Sequence, residues 1–104
     1  MPFVSKLATG SGNTQVVAGV PGQRIYGIGY EVIGKNSDTD VQLRSGTTTV
    51  LTQGFTPETG TGGWIAPSVG TDSEYLFITD VGEDLNLNLS GTGRVALNLR
   101  YVQR

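Results

Sequence analysis

At 104 residues and 11.0 kDa, the chain has room for one domain with a core of limited depth. It contains no Cys and no His, which excludes a disulfide framework, thiolate chemistry, Cys- or His-based metal sites, and any Ser-His-Asp or Cys-His mechanism within the chain. Seven Lys+Arg stand against nine Asp+Glu, a net charge of −2 and the wrong sign for unspecific nucleic-acid binding.

With 16 Gly, 13 Thr and only 4 Ala, the composition favours strands and turns over helices. The start, Met1-Pro2-Phe3-Val4-Ser5-Lys6, lacks the charged region and apolar run of a signal peptide. No apolar run approaches the roughly 20 residues of a membrane span, so no membrane partner is expected. Residues 1–14 read as an irregular N-terminal arm ending in the flexible Gly10-Ser11-Gly12-Asn13, and residues 15–104 as the folded domain. Phe3, Val4 and Leu7 are apolar without strand-length alternation. They are therefore expected to dock on a neighbouring protein, with Phe3 as the anchor.

Short strands follow. One covers 15–18. A long one covers 24–34, with Tyr26, Ile28, Tyr30 and Val32 towards the core and Gly27 and Gly29 on the other face. Residues 41–45 place Val41 and Leu43 inward, and 48–54, 64–66 and 74–80 supply three more. In 84–90, Leu85, Leu87 and Leu89 alternate with Asn86 and Asn88. In 94–102, Val95, Leu97, Leu99 and Tyr101 alternate with Arg94, Ala96, Asn98 and Arg100. If these last two strands form a hairpin through Gly91-Thr92-Gly93, the register sets Leu89 beside Val95, Leu87 beside Leu97 and Leu85 beside Leu99. A jelly roll would instead separate them into different sheets. About eight short strands divided by Gly/Pro/Asn/Asp turns make the fold class all-β: a single-domain, antiparallel, jelly-roll-like β-sandwich.

The candidate chemical motifs all have simpler structural explanations. Gly91-Thr92-Gly93-Arg94-Val95-Ala96 spells a dinucleotide fingerprint, but a strand follows the glycines where the motif needs a helix. Asp72, Glu74, Asp80, Glu83 and Asp84 lack calcium-loop spacing and read as solvated loops. Asn88-Leu89-Ser90 is a glycosylation sequon by letters but lies inside a strand. Trp64 reads as a core plug or an interface anchor rather than a stacking platform for a sugar or base. No nucleophile has an adjacent base, so no catalytic residue, metal or cofactor is expected and the chain reads as no enzyme.

The succession of Gln23 to Tyr30, Val41 to Thr47, Gly62-Gly63-Trp64-Ile65-Ala66-Pro67, Gly82 to Gly91 and Val95 to Val102 resembles small β-sandwich structural proteins of tailed bacteriophages. Notable among these are capsid decoration (cement) proteins and related fibre domains. The resemblance spans roughly residues 15–102 and rests on strand and turn signatures, not on a catalytic motif. It implies a non-enzymatic virion protein on the outer surface of the capsid, assembled as a homotrimer and bound to the major capsid protein. The alternative is a fibre-tip or lectin-like module that recognises glycans through Trp64, Asn36, Asp38 and Asp40. Beside Phe3, Val4 and Leu7, the candidate interface residues are Asn86, Asn88, Arg94, Asn98, Arg100 and Arg104.

Overall fold

The computed structural model describes residues 3–34, 40–51, 63–66, 75–91 and 93–104. Among them are nine strands and no helix: β1 (Phe3–Thr9), β2 (Gly12–Val17), β3 (Ile25–Gly34), β4 (Val41–Ser45), β5 (Thr49–Val50), β6 (Gly63–Ala66), β7 (Phe77–Ile78), β8 (Leu85–Leu89) and β9 (Arg94–Gln103). They form two antiparallel sheets. One has the order β1-β9-β3-β6 with β7 also on β3; the other has the order β2-β8-β4-β5.

The pairings are nested. β1 pairs β9, β2 pairs β8, β3 pairs β6 and β7, and β4 pairs β5. The chain is thus one long hairpin whose tip is the turn at Gly46, where φ is +64°. Rolling that hairpin brings β3 beside β9 and β4 beside β8, which closes the two sheets into a jelly roll. β6 lies along Tyr30–Ile33 and β7 along Tyr26–Gly27, so two short strands share one strand position and the roll has eight.

Alternation builds the core. Leu85, Leu87 and Leu89 line one sheet and Val95, Leu97 and Leu99 the other, each no more than 1% exposed. Val32, Val41 and Leu43 complete the layer. Burying each of these side chains is worth about 1.5–3 kcal/mol, which makes this layer the main stabilising element.

Four expectations are corrected. β8 and β9 are not a hairpin: β8 pairs β2 and β4, and β9 pairs β1 and β3. Their apolar faces meet across the sandwich, which satisfies the same alternation without placing them in one sheet. The N-terminal arm is not separate from the domain. Residues 3–9 are β1, in register with β9 from Phe3 opposite Arg100 to Thr9 opposite Arg94. Gly10 and Gly12, with φ +82° and +96°, turn the chain into β2. Tyr26 does not face the core. The register of β3 against β9 skips Ile28, a β-bulge that reverses the phase, so that Ile25 points inward before it and Tyr30 and Val32 after it. Of the strands expected over 48–54 and 74–80, only Thr49–Val50 and Phe77–Ile78 are paired among the described residues; 52–54 and 74 lie outside them.

Candidate functional surface

The sandwich distributes the candidate interface residues over different surfaces. Phe3 and Leu7 stand on the outer face of β1, 60% and 44% exposed. Beside them on β9 are Arg100, opposite Phe3, and Arg94, opposite Thr9. Asn98 lies between: it accepts a hydrogen bond from the Ser5 hydroxyl at 2.5 Å and donates to Glu31 Oε1 at 2.9 Å. Leu7, Ala96 and Ile33 form an apolar row across β1, β9 and β3. Val4 turns the other way and packs, half-buried, against the core.

Asn86 and Asn88 lie on the opposite sheet, and no single flat contact can use both faces. Asn88 donates to Asn13 Oδ1 at 3.0 Å within an amide-rich face that includes Gln15 and Gln42. Asn86 is only 7% exposed and donates to the Gly46 carbonyl at 2.5 Å, so it pegs the hairpin tip. Arg104 sits at the end where β9 finishes. Its backbone exchanges hydrogen bonds with Arg24 at 3.0 and 3.1 Å, and its guanidinium lies 4.8 Å from the centre of the Tyr26 ring. Tyr26 in turn meets Tyr75 edge-on at 4.9 Å. This cation–aromatic cluster escaped sequence reasoning because it depends on the bulge that turns Tyr26 outward.

The carboxylates at that end have structural work. Glu83 Oε1 accepts from the buried Ser45 hydroxyl at 2.9 Å, and the Ser45 oxygen accepts from the Asp80 amide at 2.9 Å. Asp84 Oδ1 accepts from the Gly19 amide at 2.6 Å. Three turns are thereby tied together: those between β2 and β3, β4 and β5, and β7 and β8. Among the described residues no group of three or more Asp or Glu side chains converges as a metal site; Asp72 and Glu74 lie outside the described residues.

At the other end, Asp40 and Ser90 join two loops. Each amide donates to the other residue, to the Ser90 hydroxyl oxygen and the Asp40 carbonyl, both at 3.0 Å. Asn36 and Asp38 lie outside the described residues. Trp64 is placed only as a backbone position in β6, opposite Val32. After Gly93 the chain continues as β9, so the fingerprint letters have no helix behind them. Among the described residues the one strongly displaced titration is Tyr30, whose phenol burial pushes up to about 12. Buried at 6% exposure, it is a core side chain. No family model, curated protein or solved structure matches the chain.

Proposed function

We propose that the protein is a non-enzymatic structural component of a bacteriophage virion. In this reading it is a decoration or cement protein that binds the outer capsid surface, bridges major capsid subunits and assembles with copies of itself as a homotrimer. One observation carries the reading. The jelly roll closes its core with the inward faces of its strands, yet the edge strand β1 keeps Phe3 and Leu7 on its outer face, 60% and 44% exposed. Exposed aromatic and aliphatic side chains on a rigid sheet, beside arginines, are the composition of a protein contact rather than of a solvated surface. The resemblance of the strand and turn segments to capsid decoration proteins supplies the partner.

The test is to mix the purified chain with undecorated phage heads and count bound copies, with light scattering on the free protein. Saturable binding at a fixed ratio to capsid subunits, with a trimer mass in solution, supports the reading. A clean monomer that ignores heads but binds on a glycan array would replace it with the fibre-tip alternative.

A further inference from the structure

We infer that the outer face of β1 and β9 is the surface on which this protein docks, and that its partner there is an acidic protein surface with apolar pockets; the inference deepens the structural role proposed above and rests on it. Charge is the first argument. Arg94 and Arg100 share the outward phase with Phe3 and Leu7, Lys6 lies on the same edge strand in the other phase and Arg104 directly after β9, while residues 1–23 and 85–104 contain no Asp or Glu. A chain of net charge −2 therefore presents one locally cationic edge. The opposite outer face carries the amides Asn13, Gln15, Gln42 and Asn88 and one cation, Arg44, whose guanidinium is held by Gln42 Oε1 and the Thr47 carbonyl.

Relief is the second argument. Phe3 and Leu7 are four residues apart on one strand, so they project on the same side about 13 Å from each other. Arg100 stands directly beside Phe3. The hydrogen-bonded row Ser5–Asn98–Glu31 runs between the two anchors. Two apolar anchors and the arginines beside them stand on paired strands, so the backbone of the footprint is in place before contact.

Glu31 decides the class of partner. It lies in the middle of the face, in register with Asn98. A nucleic acid or an anionic bilayer, negative throughout, would meet that carboxylate unfavourably, and the few cations around it would release few counterions. A protein surface can place carboxylates against Arg94 and Arg100 and leave a donor for Glu31.

The experiment compares three double variants with the unaltered chain on undecorated heads by co-sedimentation, at low and high salt. These are Phe3→Ser with Leu7→Ser, Arg94→Glu with Arg100→Glu, and, as the opposite-face control, Gln15→Glu with Asn88→Asp. Circular dichroism melting confirms that each is folded. The first two pairs are expected to weaken binding about tenfold or more, with binding falling as salt rises, and the control pair to change nothing. Loss in the control pair with retention in the other two overturns the inference. So does binding of duplex DNA or phosphatidylserine vesicles that depends on Arg94 and Arg100.

If the unaltered chain ignores heads, the capsid reading fails by itself. The face is then judged by photo-crosslinking in the source cells, with benzoylphenylalanine placed at position 3, 7 or 88. Crosslinks from 3 and 7 that map to an Asp/Glu-rich protein segment, and that vanish with Arg94→Glu and Arg100→Glu, uphold it. Crosslinks from 88 alone, or none from 3 and 7, overturn it.

Discussion

A methyl group added at Gly27 would run into the ring of Phe77, which lies over it from β7. The ring is buried, 6% exposed, and meets Tyr30 edge-on at 6.0 Å, so it has little room to yield. Gly27→Ala is therefore expected to destabilise the fold by about 1–3 kcal/mol. In a urea titration it should lower the midpoint. Phe77→Leu in the same chain should recover part of that loss, because the two residues share one contact. Tyr30 gives a pH-dependent expectation of definite sign. Burial raises its pKa from 10.0 to about 12, so the unfolded chain gives up this proton before the folded one does. The preference for the folded state is complete below about pH 10 and falls as pH rises towards 12. Tyr30→Phe has no proton to lose, and its stability measured from pH 9 upwards should decline less steeply than that of the parent chain. A decline of equal slope would mean that the buried phenol is not the group responsible.

Among the elements, β1 is the one that sequence reasoning missed, and Lys6 is the reason. Val4, Lys6 and Ala8 share the inward phase, and Lys6 lies opposite the buried Leu97. The alternation is broken by a charge where an apolar residue would have revealed a strand. Because β1 is an edge, the lysine can lean out to solvent. A charge in that phase also discourages another strand from pairing on the open side. Lys6→Val should therefore keep the fold but let the edge recruit other chains, seen as concentration-dependent scattering well below the parent's threshold. Deleting residues 2–9 tests the same strand differently. Ala8 is fully buried and Val4 packs on the core, so the deletion removes core atoms and leaves β9 as an unguarded edge. The melting temperature should fall by about 10 °C or more, whereas an unchanged value would restore the free-arm picture. β8 and β9 were legible because six apolar residues alternate without a break. Their partners were not, since alternation specifies which face is buried and says nothing about which strand lies alongside. The bulge at Ile28 was equally hidden: the phase reversal it imposes on Ile25 and Tyr26 is visible only in the register against β9.

At the scale of the whole molecule, the nested roll brings together positions far apart in the chain, and that can be read out chemically. Asn13 on β2 and Asn88 on β8 are register partners, 75 positions apart, one exposed and the other half-buried, with their side chains in contact at 3.0 Å. Directly opposed residues of an antiparallel pair have Cα separations of about 4.5–5.5 Å, inside the range a disulfide spans. The chain has no cysteine of its own, so Asn13→Cys with Asn88→Cys offers a single possible intramolecular bridge. The bridge should form on mild oxidation. Closing a loop of that length removes enough freedom from the unfolded chain to stabilise the fold by about 4 kcal/mol in the entropic limit, less whatever strain the bridge adds. The comparison is between oxidised and reduced forms of the same double variant in denaturant. A higher midpoint on oxidation supports the nested topology. Failure to form the bridge in the folded state would contradict the β2–β8 pairing and reopen the β8–β9 hairpin. The bridge lies on the amide face, behind the sheet that carries Phe3, Leu7 and Arg100. The oxidised protein should therefore bind its partner as well as the reduced one, and a loss of binding on oxidation would place the contact on the amide face instead.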